Sequence, residues 1–192
     1  MSDPVVQATL RVVKVFWSLE AHLAYQRHFP AISWLNSYSL YHSNIKDYIT
    51  ENVSDKFVEM RIEAMSLLQT ESELNEIVKL IGVDSLSFSD RVILETARAL
   101  REDFLHQNAF HDVDTYASFE KQFKILGYIL TLHDISKELL DKNVPFDKIV
   151  GMSVREDVSR ARYRDDKEFV ASSDIDKKIE EEKANLLKEG VF

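Results

Sequence analysis

Two stretches, His111-Asp112-Val113-Asp114 and His133-Asp134, set imidazoles beside carboxylates, the residue types that ligate divalent metals. Adjacent residues on one helix or turn rarely converge on a single ion, so both read as solvated polar segments and no metal site is expected. Glu180-Glu181-Glu182 lies among Lys177, Lys178 and Lys183, which is the pattern of a solvated helix face with offsetting charges rather than a catalytic acid-base pair. A phosphate-cradling loop needs glycines for backbone approach and a lysine for the phosphates. None of Gly82, Gly127, Gly151 or Gly190 is followed by Lys, and neither a G-x-S-x-G elbow nor an H-E-x-x-H pair occurs, so no catalytic residue is expected. Two aromatic positions stand apart. Phe29, before Pro30, and Phe110 each follow a helical segment in a polar context. Aromatic side chains are more often core than ligand, but two such faces can hold a planar base.

The elements that would position these groups are helical. The chain has 192 residues, 45% of them hydrophobic, with only 4 Gly and 3 Pro, which suits long helices and disfavours sandwiches and barrels. Cysteine is absent, which excludes disulfides and thiolate metal sites and fits a reducing, cytoplasmic setting. The 33 acidic residues outnumber the 24 basic ones, and a net charge of −9 repels phosphate backbones and anionic membrane surfaces. Nucleic acid is therefore not an expected partner. No stretch approaches the ~18 apolar residues of a membrane span, and Met1-Ser2-Asp3-Pro4 lacks the basic-then-apolar order of a signal peptide.

Along the chain, Val12-Val13-Lys14-Val15-Phe16-Trp17 reads as a buried strand, either a helix in disguise or one whose partners lie in sequence outside this chain. A helix is expected from Glu20 to His28, ended by Phe29-Pro30. Leu74, Ile77, Val78 and Ile81 form one stripe, with Gly82 where a helix end wants a residue tolerant of positive φ. Ser89 is the expected N-cap of the next helix, whose stripe is Ile93, Ala97, Leu100 and Phe104; the two helices form an antiparallel hairpin. Phe119, Phe123, Leu126 and Leu130 mark the expected longest core helix, from Ser118 to Leu140, closed by Asn143-Val144-Pro145. After the polar break Arg164-Asp165-Asp166, the mostly charged stretch from Asp174 to Glu189 carries a sparse stripe of Ile175, Ile179, Leu186 and Leu187 and reads as a solvated or loosely docked helix. The reading is a mainly α protein: a short α/β stub at residues 1–43, a helical bundle at 44–164 and an acidic helical tail at 165–192.

Three blocks carry a family resemblance. Leu23 to Tyr41 reads L-A-Y-Q-R-H-F-P-A-I-S-W-L-N-S-Y-S-L-Y; Glu59-Met60-Arg61-Ile62-Glu63-Ala64-Met65 is followed by Leu67-Leu68-Gln69 and Glu76-Ile77-Val78; Arg101 to Tyr116 reads R-E-D-F-L-H-Q-N-A-F-H-D-V-D-T-Y. In this order they closely resemble the catalytic A subunit of archaeal and vacuolar-type rotary ATPases, over residues 2 to about 163, with a tail only generically similar to bacterial members.

The resemblance implies a piece of a longer subunit whose P-loop, catalytic glutamate and magnesium ligands precede this chain, so that residues 1–43 would be a remnant of the nucleotide-binding domain. It implies that Phe29 and Phe110 are two walls of an adenine pocket also lined by Gln107 and Ala109, serving ATP or ADP with Mg2+ in the intact subunit, and that this chain alone is inactive and holds no nucleotide tightly. The turn from Gly82 to Arg91 would face the central rotor stalk through Leu86 and Phe88, with Asp84 and Asp90 as its carboxylates. The implied partners are the B subunit of the hexameric head and the central stalk subunits, with the complex peripheral on a membrane that this chain does not touch. A competing reading keeps the helical bundle but makes it a docking module with no nucleotide role.

Overall fold

The computed structural model describes residues 4–189. The element order is α1 (Pro4–Leu10), β1 (Val15–Phe16), α2 (Ala21–Tyr25), β2 (Tyr38–Ser39), α3 (His42–Asn52), α4 (Lys56–Ile81), α5 (Phe88–Ala99), α6 (Phe119–Asp141), α7 (Phe146–Val150), α8 (Val154–Arg160), α9 (Asp166–Ala171) and α10 (Asp174–Glu189). The protein is mainly α, as composition and stripes indicate.

α6 buries most of its surface, leaving Asp134, Lys137, Glu138 and Asp141 among its exposed residues, and it runs through the centre of the molecule with Ile125, Leu126, Ile129, Leu130, Leu132, Ile135 and Leu139 all buried. Ser118 caps it by accepting the Lys121 N–H. α4 and α5 form the antiparallel hairpin that packs on it, and α8, α9 and α10 close the other side. A π-helical segment, Leu100–Leu105, continues α5. It buries Leu100 while setting Phe104 and Leu105 against the core edge.

Several local expectations are corrected. The run from Val12 to Trp17 is neither buried nor a long strand. Only Val15–Phe16 pairs, antiparallel to Tyr38–Ser39 within this chain, while Val12 is 77% exposed and Trp17 68%. The partner is thus inside the chain, and β-branched composition signalled extension rather than burial. The helix expected from Glu20 to His28 stops at Tyr25, because the Gln26, Arg27 and His28 N–H groups close the turn on His22, Ala24 and Leu23, with Arg27 at φ 60°. Ser87, not Ser89, caps α5; it can reach the Asp90 N–H at N3, whereas Ser89 is already inside the first turn. α4, at 26 residues, is longer than α6 at 23.

Gly82 ends α4 at φ 81° and ψ 157°, a backbone region essentially restricted to glycine. Of the stripe before it only Leu74 is buried; Val78 is half-buried and Ile77 and Ile81 are exposed, as is neighbouring Leu80, because the last turns of α4 reach past the bundle. The C-terminal helix is also corrected. Ile175 and Ile179 belong to the core, Tyr128 donates to Asp176 at 2.7 Å, and Lys183 pairs with Glu138 at 2.8 Å. α10 is docked rather than loose.

Candidate functional site

Two loops carry the aromatic residues singled out in the sequence, and one backbone hydrogen bond joins them. The Gln107 N–H donates to the Phe29 carbonyl at 2.7 Å. Phe29 is 50% exposed and Phe110 99%, so both residues reach the surface; Ala109 is exposed and Gln107 half-buried.

Each loop is fixed from below. α2 buries Leu23, and the chain then turns back on itself through Arg27 to the cis Phe29–Pro30 peptide. The antiparallel bridge between Leu19 and Ile32 and the Glu20 N–H bond to the Ala31 carbonyl brace the base of this turn. The second loop is organised by Asp114, which accepts the Asn108 N–H at 2.6 Å and faces the Arg162 guanidinium at 3.7 Å. Asn108 in turn accepts the Phe110 N–H at 3.1 Å. Arg162 ties the loop to the bundle by donating to the carbonyls of Glu102 and His106.

Asp114 is therefore buried, and the reading of residues 111–114 as a solvated segment is corrected: the carboxylate is used inward to hold a loop. His111 Nδ1 faces the Val113 and Asp114 N–H groups, which accounts for that imidazole without an ion. His133 is likewise buried, at 2.9 Å from the Thr96 hydroxyl. Among the described residues no group of three or more metal-ligating side chains comes together.

Behind the junction lies a feature that periodicity gave no reason to single out. His28 and His106 approach to 5.1 Å between ring centres in a polar cleft also lined by Arg101, Glu102 and Arg162. Their places next to Phe29 and Gln107 were the available signal. Burial lowers the pKa of His28, reinforced by His106 and Arg101; burial and Arg162 lower that of His106. Both imidazoles thus favour the neutral form in the folded protein.

A depressed folded-state pKa means that the unfolded chain binds more protons, so the neutral pair contributes stability above the ordinary value of 6.5 and loses it as pH falls below that value through the folded pKa. Thermal midpoints measured from pH about 7.5 down to about 5 are expected to fall less steeply for a His28→Gln, His106→Gln double variant than for the parent. Parallel curves would rule this coupling out.

The expected rotor-facing turn is built differently at each residue. The Asp84 carboxylate is exposed and meets Arg91 at 3.4 Å; Asp90 is engaged by the Ser87 hydroxyl at 2.7 Å in the helix cap. Leu86 is half-buried, and Phe88, 56% exposed, stacks on Phe146 with Arg91 over its ring. Ile77, Leu80, Ile81 and Val83 add exposed apolar surface nearby. No helix among the described residues is long and apolar enough to cross a membrane.

Comparisons with known proteins agree with this architecture. A V-type ATP synthase alpha chain of Thermoanaerobacter pseudethanolicus is 52% identical over 190 residues, 99% of this chain and 32% of that protein. The V-type ATP synthase alpha chain of Clostridioides difficile is 52% identical over 188 residues, 97% of this chain and 32% of that protein. The solved structure of the ATP synthase subunit NeqB from Nanoarcheaum equitans superposes with a TM-score of 0.56 at 25% identity, covering 67% of this chain and 30% of that one. The chain thus spans about a third of the length of the curated relatives it matches. Residues 46–150 match the family model described as the C-terminal domain of V and A type ATP synthase, and the chain belongs to that family.

Proposed function

We propose that this chain supplies the adenine-side wall of a nucleotide site in a rotary ATPase head and the lever by which that site communicates with the central stalk. The observation that carries the reading is the Gln107–Phe29 hydrogen bond, which keeps two exposed aromatic rings on adjoining, braced loops. Aromatic faces of this kind bind planar bases by stacking.

ATP or ADP with Mg2+ supplies the phosphoryl chemistry when bound. Among the described residues the groups that fit it are aromatic and amide side chains suited to the base, and the sequence has no glycine-lysine cradle for phosphates. Phe29 and Phe110 would grip the base, with Gln107 and Ala109 forming the floor between them. The second loop is anchored to the bundle through Asp114 and Arg162 and the first is joined to it by the Gln107–Phe29 bond, so a shift of the pair is transmitted into the segment that continues α5 and, through the Arg162 carbonyl that Lys121 meets, into α6 rather than dissipated. At the far end of the hairpin, exposed Phe88 and the apolar end of α4 suit a steric contact with the central stalk, with Asp84 as the accessible carboxylate. The B subunit of the head would neighbour this chain, and its attachment to a membrane would run through other subunits.

The test is made in the full-length alpha chain, where phosphate contacts are also available. Phe29→Ala and Phe110→Ala are each expected to lower nucleotide affinity ~10- to 100-fold, from ~1–3 kcal/mol of stacking per aromatic face. The thermal midpoint should barely move for Phe110→Ala, whose ring is almost fully exposed, and modestly for Phe29→Ala, which is half-buried. Unchanged affinity in both variants would remove the nucleotide role and leave the docking reading.

A further inference from the structure

Between α3 and the bundle lies an apolar groove of about 440 Å3, a volume typical of small-molecule sites. Its walls include Trp34, Ile45, Phe57, Met65, Leu100 and Phe104. α3 forms one wall but buries no residue of its own, so it covers the groove without filling it. The charged side chains lining the groove are Lys46 and Arg61, with His42 beside them, and no carboxylate lines it among the described residues. In a chain with net charge −9 this one-signed rim is a local inversion.

The guanidinium of Arg61 lies 2.8 Å from His42 Nε2, and burial followed by the charge of Arg61 lowers the His42 pKa. The imidazole therefore accepts from Arg61 and does not add a third positive charge, while it orients the guanidinium at the rim. The groove's volume lies at the small-molecule end of ligand sites, enough for the apolar body of a small amphiphile.

We propose that this groove binds a medium-chain amphiphilic monoanion, its apolar body lying between α3 and α4 and its carboxylate meeting Lys46 and Arg61 at the mouth. Charge complementarity and size carry the inference, which is independent of the adenine reading. An occupied groove would join α3 to Trp34 and to Phe104, on the segments that lead from Phe29 and into Gln107.

Dodecanoate, kept below its micellisation concentration, is the probe; dodecyltrimethylammonium and dodecanol carry the same tail with opposite or no charge. A Trp17→Phe background leaves Trp34 as the reporter, since the sequence has 2 Trp. The expected result is a saturable one-to-one change in Trp34 emission with dodecanoate, at least tenfold tighter than with the ammonium. Lys46→Gln combined with Arg61→Gln should bring dodecanoate to parity with dodecanol. Ile45→Glu, at an exposed position on α3, should weaken dodecanoate at least tenfold without shifting the thermal midpoint. Lys46→Gln alone, with an intermediate loss, serves if the double variant is unstable.

Non-saturating uptake of all three amphiphiles, unaffected by the variants, is adventitious partitioning and overturns the proposal. So does an unchanged Trp34 signal, and so does self-association of the chain that saturating dodecanoate leaves intact, which would give the groove to a second copy.

Discussion

Lys121→Ala is expected to cost about 3–5 kcal/mol of folding stability, the range for breaking a buried ion pair from one side. Lys121 is completely buried in the first turn of α6. Its ammonium donates to the carbonyls of Arg162 at 2.9 Å and Arg164 at 2.6 Å and pairs with Asp166 at 2.9 Å. Asp166 also accepts the Ser118 N–H at 2.7 Å, so one carboxylate caps α6 while it neutralises the lysine. Burial alone would raise the Asp166 pKa; the Ser118 N–H and Lys121 outweigh it and hold the carboxyl below its ordinary value.

Removing the ammonium therefore orphans two carbonyls and a partly buried carboxylate at once. Lys121→Met, which refills most of the volume, should recover only part of the loss, because the polar partners stay unmatched. Urea midpoints at neutral pH measure both. A Met variant as stable as the parent would mean that packing, and not the ion pair, holds this corner.

The same corner marks what the sequence makes legible. Ser118 announces the start of α6 because capping is local: a hydroxyl and an N–H three residues apart. The hairpin is readable for the same reason, since Gly82 and the stripe Ile93, Ala97, Leu100, Phe104 are nearest-neighbour signals. Lys121 gives no sign of burial, because its partners lie more than forty residues away in the chain and a lysine has the same pattern value on any helix. Val12 to Trp17 misleads in the opposite direction, since β-branched residues fit an exposed extended segment as readily as a buried one.

For the candidate site, Phe29, Gln107, Ala109 and Phe110 are reached by family resemblance. That residues 29 and 107 touch depends on a backbone N–H, to which no periodicity refers. Asp114 and Arg162, which brace the second loop, look on paper like ordinary surface charges.

A chain ending at Tyr163 is expected to lose cooperative folding. The segment beyond it is mostly charged, yet it closes the core: Phe169, Ile175 and Ile179 are each within 2% of complete burial. Burying such side chains contributes ~1.5–3 kcal/mol each, so the three together supply on the order of 5–9 kcal/mol, against a total stability of ~5–15 kcal/mol for a domain. The truncation removes more than apolar area. Asp166 goes, leaving the Lys121 ammonium and the Ser118 N–H without their carboxylate. Asp176 goes, which frees the Tyr128 hydroxyl inside α6, and the carbonyls of Phe169 and Val170 that Lys124 meets go with it. The loss reaches the second aromatic loop as well, because Arg162, which braces it, stands one residue before the cut. Urea titration followed by circular dichroism should show a broad, non-cooperative transition for the shortened chain. A sharp transition at an unchanged midpoint would show that α9 and α10 are appended to the bundle and not part of it.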